Sequence, residues 1–336
     1  MKIGIELEYW VVNQKGKLVS SQKLAEKTDS AEQEFVEPLI EVKTSPSSSI
    51  EELNHEVKRK LKKLLYAADS LDQKIVPLGT PLNSGKIEML ESERGRIQSK
   101  IIGENLEAAK RVAGTHIHFE KKQVKKQINT LTALDPALAL TNSSPYYQGE
   151  KTSHSSRNQV YRYHCYQEFP QHGQLWRYTD SVQEWEERIE KNFQIFKYKG
   201  KTCNISKNKL KKYFSPYNAL WTPIRLRKKF PTIEWRAPDS GRIQDTLRMA
   251  SEIKSIVEKE VDKPKFEELQ NLSRKAINQG LESPEIKTYL SKCGFSVDKY
   301  NPISLEIEKN QSISIEQARK IRLKYAKELK REIDKI

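Results

Sequence analysis

Four short segments of this chain alternate in the same way, apolar at one parity and ionisable at the other. In IELEY, Glu6 and Glu8 oppose Ile5, Leu7 and Tyr9; in PLIEVKT, Glu41 and Lys43, with Leu39, oppose Ile40, Val42 and Thr44. In THIHFE, His116, His118 and Glu120 oppose Ile117 and Phe119; in TIEWRA, Glu234 and Arg236 oppose Ile233 and Trp235. A period of two is the period of a β-strand, whose side chains point alternately to the two faces of a sheet. Strands of a parallel sheet buried on both faces read as continuous apolar runs, so this alternation favours an antiparallel sheet with one apolar face.

The intervening segments carry helical periodicity, which makes the fold α+β. Residues 3–12 predict a strand that turns at NQKG into a second short strand at 17–20, and residues 34–44 predict another. Ser48 or Ser49, with Glu51 or Glu52 three residues on, predicts a capping box. The helix that follows places Leu53, Val57, Leu61, Leu64, Ala68 and Leu71 on one face. A strand is expected near 74–80, a helix over 94–113, and a second helix over 121–141 that kinks or breaks at Pro136. Residues 142–175 read as irregular, a helix opens at Ser181, and 198–212 reads as a basic surface loop. TPIRLR and PTIEWRAPDS predict two strands joined by a short turn, and the chain is helical in pattern from 242 onward.

The chemistry of the ionisable face narrows the function. Any one of these strands alone also fits an open sheet wetted on one side. Together, however, they put Glu6, Glu8, Glu41 and Glu234 on one face, which is strongly repulsive unless cations neutralise them. Carboxylates with an imidazole form a hard, oxygen-rich donor set suited to Mg²⁺ or Mn²⁺. Arginine beside such ions is the usual arrangement for stabilising a transferring phosphoryl group, so the face reads as a metal–nucleotide site. No Walker A sequence and no G-x-G-x-x-G is present, which excludes P-loop and Rossmann nucleotide sites.

Composition adds little but agrees. With 60 Lys and Arg against 45 Asp and Glu, the net charge is +15, spread along the chain, and favours anionic ligands. Three dispersed cysteines form no zinc or disulfide pattern and suggest a reducing compartment. No apolar run is long enough to span a bilayer, and MKIGIELEYW places acidic residues where a signal peptide would be apolar. The expectation is a cytoplasmic protein with no membrane partner.

The motifs GIELE, EPLIEVKTSP, GTHIHF, ALTNSSPYYQG, HSSR, PIR and TIEWRAPDS occur in an order that resembles the glutamate–cysteine ligase type 2 family. That family includes carboxylate–amine ligases and belongs to the glutamine synthetase-like superfamily. The resemblance covers roughly residues 3–257. It implies a twisted antiparallel sheet forming a catalytic funnel backed by helices, with ATP and Mg²⁺ or Mn²⁺ as cofactors. Glu6, Glu8, Glu41, His116 and Glu234 would bind metal, His118 would contact the nucleotide phosphates, and Arg236 would hold the γ-phosphate. Arg157 and Arg225 would pair with a substrate carboxylate or with phosphate; read alone, Arg157 is an exposed loop residue. Glu37 matches an acidic position of the family without an evident role.

The implied reaction joins glutamate to an amine, cysteine first among them, through an acyl phosphate, and the long loop 142–175 is a candidate lid over it. A related ligase with another amine, and an inactive scaffold that binds nucleic acid, are the alternatives. The last is disfavoured because every metal-site residue is present and no aromatic–basic platform is evident. Residues 1–260 would form the catalytic domain and 261–336 a helical extension packed on it, with a homodimer possible. His154, His164, His172 and Tyr146 default to solvated loop residues, and Glu120 to a surface position.

Overall fold

In a computed structural model, residues 1–169, 171–228, 231–259 and 261–335 are described. Strand β1 (Ile3–Asn13) is followed by helix α1 (Gln22–Lys27), β2 (Glu32–Gln33), β3 (Leu39–Lys43), α2 (Ile50–Asp69) and β4 (Gln73–Val76). Next come α3 (Glu93–Ile102), α4 (Leu106–Ala109), β5 (Thr115–Glu120) and α5 (Val124–Ala133). A small hairpin, β6 (Tyr146–Tyr147) and β7 (Glu150–Lys151), precedes α6 (Ser156–Val160), α7 (Val182–Thr202) and α8 (Lys207–Tyr213). Strands β8 (Ile224–Leu226) and β9 (Thr232–Trp235) complete the sheet. Helices α9 (Ile243–Glu258), α10 (Phe266–Gln279), α11 (Pro284–Cys293) and α12 (Ile315–Asp334) follow.

The main sheet runs β2-β3-β1-β5-β9-β8, every pair antiparallel, with β4 taking over the β5 side of β1 beyond Trp10. One parity is the apolar face. Ile5, Leu7, Ile40, Val42, Ile117, Phe119, Ile233 and Trp235 all enter one core cluster with α2, α5 and α9. On α2, Ser49 and Glu52 form the capping box and Leu53, Val57, Leu61, Leu64 and Ala68 are buried.

The other parity changes character along β1. Glu6 and Glu8 give way to Trp10 and Val12, which join Leu39, Val76, Ala318, Tyr325 and Ala326 in a separate cluster. Helix α12 therefore seals the far half of the face whose near half carries the ionisable residues. It is fastened by Arg322, 1% exposed, which donates to the carbonyls of Gly16 (2.9 Å), Pro81 (2.5 Å) and Asn83 (2.8 Å). Pro81 and Asn83 flank Leu82, whose φ of 64° is left-handed and unfavourable for a branched side chain. Arg322→Ala would strand buried carbonyls and release that loop. The expected loss is about 2–4 kcal/mol of stability in urea unfolding. A change under about 1 kcal/mol would mean that the clamp is dispensable.

Several local expectations are corrected. Residues 17–20 make one bridge, Val12 to Leu18, rather than a strand. Strand β3 begins only at Leu39, because 34–38 is a reversal closed by Glu34 N–H to the Leu39 carbonyl. The predicted strand near 74–80 is confined to β4. The 94–113 helix is broken at Gly103, whose φ of 69° ends α3. Pro136 does end the regular helix, and Asp135–Thr141 continues as 3₁₀ turns. Most of the basic segment 198–212 is helical, in the end of α7 and in α8 with 203–206 as the connection, because Phe196 and Leu210 pack into a third cluster and outweigh the polar composition. No described helix is long and apolar enough to cross a membrane.

Candidate active site

Antiparallel register aligns the ionisable residues in rows across the sheet. Glu6 is paired with Lys43 on one side and His116 on the other, Glu8 with Glu41, and Glu234 with His118 and Arg225. Near Glu6 the contacts are tight. His116 Nδ1 lies 3.1 Å from Glu6 Oε2 and His118 Nε2 lies 3.2 Å from Glu6 Oε1. Burial works against the Glu6 carboxylate, but the hydrogen bonds with the two imidazoles hold its pKa far below the usual range. Burial, with Arg236 nearby, pushes His116 down to about 4, so at neutral pH its ring is uncharged and has a lone pair for a metal.

Glu8, Glu34 and Glu41 converge beside this row. Glu8 Oε2 accepts the Gly114 N–H at 2.6 Å, and Glu8 Oε1 is 3.7 Å from His116 Nε2. Burial and then the neighbouring Glu41 push Glu8 up to about 7. Burial, Glu34 and Glu6 push Glu41 up to about 9, against the opposing Lys43. Burial and Glu8 raise Glu34 as well. Three carboxyls so placed resist ionising together, and a divalent cation among them would reverse that.

Glu234, fully buried, has the opposite surroundings. Arg225 donates to it through Nε and Nη2, both at 2.7 Å, Arg236 Nε lies 2.9 Å away, and Arg227 Nη1 lies 3.4 Å away. Burial alone would raise its pKa, but Arg225 and Arg236 bring it down to about 2.

Among the described residues, ligand atoms come within 4.8 Å of one another in three overlapping sets: Glu6, Glu41 and His116; Glu6, His118 and Glu234; and Glu8, Glu34 and Glu41. All five residues expected to bind metal belong to them. The donors are carboxylates with imidazole, a fit for Mg²⁺ or Mn²⁺. A cleft of about 480 Å³ opens beside the sets, lined by Gly4, Glu6, Lys43, His118, Arg227 and Thr232 among others. A larger groove of about 720 Å³ along α7, lined by Glu186, Glu187 and Tyr217, shares only Arg227 with that cleft among the described residues. It contains none of the row residues, so we place the chemistry at the smaller one.

Sequence reasoning missed Glu34, whose signal was its even spacing from Glu32, the residue paired with Glu41 across β2 and β3. Glu37, the acidic position singled out instead, is exposed, and its backbone makes the contacts: the N–H donates to the Glu88 carbonyl and its own carbonyl accepts from Ser21. Asp239 was also missed as an organiser. Buried, it accepts from Ser144 Oγ and Ser155 Oγ at 2.7 Å each and from the Ser143 N–H at 3.1 Å. Gly79 leaves room for that carboxylate, since a Cβ there would sit 2.6 Å from Asp239 Oδ2.

Arg157 is not an exposed loop residue. It is 1% exposed and donates through Nη1 and Nη2, at 3.1 Å each, to the carbonyls of Ala237 and Arg236. Its guanidinium lies over the rings of Tyr161 and Trp221, which stack on each other 4.6 Å apart. Only glycine fits at 114, because a Cβ would lie 2.2 Å from Arg157 Nη2. The expected lid is likewise largely built into the interior. Asn142–Ser144 and Ser153–Asn158 are buried, as are His154, His172 and Tyr146, and only His164 among these loop residues is exposed.

This mixed helical and antiparallel architecture is a fold shared with solved glutamate–cysteine ligases. It is similar to a glutamate–cysteine ligase from Francisella tularensis in complex with AMP (TM-score 0.63, 15% identity, 98% of this chain and 88% of that chain). It is also similar to a bifunctional glutathione synthetase from Pasteurella multocida (TM-score 0.62, 16% identity, 99% of this chain). This chain spans 52% of the length of the Pasteurella protein. By sequence, no curated protein matches. The sequence model of glutamate-cysteine ligase family 2 matches residues 2–309, and the chain belongs to that family. The match runs past residue 257, where the recognisable motifs end, and takes in α10 and α11.

Proposed function

We propose that the protein is an ATP-dependent carboxylate–amine ligase that forms a γ-glutamyl amide, with glutamate as the carboxylate and cysteine as the first-choice amine. The observation that carries this reading is the trio of overlapping cation sets on adjacent strands beside a cleft, with Arg225 and Arg236 at their border. A carboxylate is a poor electrophile. An oxygen of the glutamate side chain attacks the γ-phosphorus of ATP, ADP leaves, and the resulting acyl phosphate is attacked at carbon by the amine nitrogen. Phosphate departs and the nitrogen loses a proton, giving the amide.

Glu6, Glu8, Glu41, His116 and Glu234, with Glu34 added, would hold the divalent ions. Those ions, when bound, neutralise charge on the phosphate oxygens. His118 and Arg236 would face the phosphates. Arg225 would act by fixing the Glu234 carboxylate, since its bidentate contact is already made there. Arg157 would act as a positioning residue, gripping the backbone at 236 and 237 and so aiming Arg236. The stacked Tyr161 and Trp221 would back the guanidinium groups of Arg157 and Arg236, which lie over their rings. Three unpaired cysteines accord with a reducing cytoplasm.

The test is ADP release by the full chain with Mg²⁺, ATP, glutamate and a panel of amines. Release that requires both glutamate and cysteine is the expected result, and γ-glutamylcysteine should be found by mass. Turnover with another amine alone would keep the ligase and change the acceptor. No release with any acceptor would sink the proposal.

A further inference from the structure

Lys43 sits at the junction of the cation sets and has no part in the chemistry described so far. Its Cα is paired with Glu6, and it shares a face with Glu41 two residues before it. Its ammonium lies 2.6 Å from Glu41 Oε2 and 2.8 Å from Glu32 Oε2. Glu41 belongs to two of the three cation sets, so Lys43 engages a carboxylate that a divalent ion in either set would also use. The two partners differ in freedom. The Glu41 side chain is 4% exposed and confined, whereas that of Lys43 is 41% exposed and lines the cleft with His118 and Arg227.

We propose that Lys43 is a built-in counter-cation that exchanges with the divalent ion and then serves the nucleotide. When an ion takes the Glu41 carboxylate, the ammonium is repelled and swings on its flexible stem into the cleft, where it grips the nucleotide phosphates. The inference rests on the reading that Glu41 binds a divalent ion. Its physical basis is competition. The interior of this sheet holds too many carboxylates to remain ionised without a cation, yet an ammonium and a divalent ion held on one buried carboxylate repel each other strongly. A lysine suits the exchange because its ammonium is a compact charge on four rotatable methylenes, and the tether to exposed Glu32 is weak. An arginine would bind Glu41 with a bidentate fork and resist displacement.

The experiment compares the full-length protein with Lys43→Gln and Lys43→Arg in two binding measurements. Mn²⁺ affinity is read by electron paramagnetic resonance at mildly alkaline pH, where proton competition is least. ADP affinity at saturating Mn²⁺ is read by calorimetry. Lys43→Gln is expected to bind Mn²⁺ about tenfold more tightly and ADP about tenfold more weakly. Lys43→Arg should bind Mn²⁺ several-fold more weakly than the wild type while retaining ADP better than Lys43→Gln. Lys43→Gln affinities within about twofold of wild type, or weaker Mn²⁺ binding by that variant, would overturn the exchange while leaving the metal site standing. Failure of the wild type itself to bind Mn²⁺ would overturn the metal reading and this inference with it. The substituted position is half-exposed, and thermal melts confirm that each variant is folded before the comparison is made.

Discussion

Glu234→Gln is expected to lower turnover by on the order of a thousandfold and also to destabilise the protein by about 3–5 kcal/mol. The two effects share one cause. Glu234 is fully buried and is the common anion for Arg225, Arg236 and Arg227, and its pKa is held near 2 by the first two. An amide of the same shape keeps a carbonyl but removes the charge, leaving guanidinium groups uncompensated in the interior. Catalysis would suffer because those arginines would lose their fixed geometry beside the cation set of Glu6, His118 and Glu234. The measurements are initial rates well below the variant's melting range and urea unfolding followed by circular dichroism. Near-normal rates would refute the site assignment. A large rate loss with unchanged stability would show that the arginines find other partners.

Glu41→Gln should behave in the opposite way toward stability, while equally abolishing metal-dependent turnover. Burial, Glu34 and Glu6 raise Glu41 to about 9, and burial with Glu41 raises Glu8 to about 7. A carboxyl whose folded pKa exceeds its unfolded one stabilises fully below the unfolded value. That stabilisation is lost as pH rises through the folded value. In EDTA the wild-type protein should therefore melt at progressively lower temperature from about pH 5 to pH 9, and Mg²⁺ should restore it most at the alkaline end. Glu41→Gln removes one ionisation from the cluster. Near pH 9 in EDTA it should be more stable than wild type by about 1–3 kcal/mol, with little gain from Mg²⁺. The net figure is modest because Lys43 loses its contact with Glu41 and keeps only Glu32. A variant less stable than wild type at every pH, or one that keeps the full Mg²⁺ response, would contradict this.

The helices show where sequence signals were sufficient and where they were not. Ser48 or Ser49 with Glu51 or Glu52 marked the start of α2, and Ser49 with Glu52 makes the box, because a cap is a local hydrogen-bond demand that four residues can meet by themselves. The stretch from Tyr198 to Lys212 looked like loop because its composition is polar. Phe196 and Leu210 each bury against a cluster built from α3, α4 and the segment near Phe169. Gly200 permits that closeness, since a Cβ there would come within 2.8 Å of Leu210 Cδ1. No window along the chain contains those partners.

The sequence by itself determined which side chains share a face of the sheet, because Cβ atoms alternate at every residue whatever the strand's neighbours. Glu6, Glu8, Glu41, His116, His118, Glu234 and Arg236 were legible for that reason, and so was the oxygen-rich character of the site. Only the tertiary structure decided who stands beside whom. Register paired Glu6 with His116 and Lys43, and set Arg225 against Glu234. The reversal before Leu39 turned Glu34 inward and left Glu37 in solvent. Packing under Gly114 buried Arg157 against the carbonyls of Arg236 and Ala237. Contacts of this kind join residues far apart in the chain, and burial, which depends on all of them together, sets the charge that each group carries.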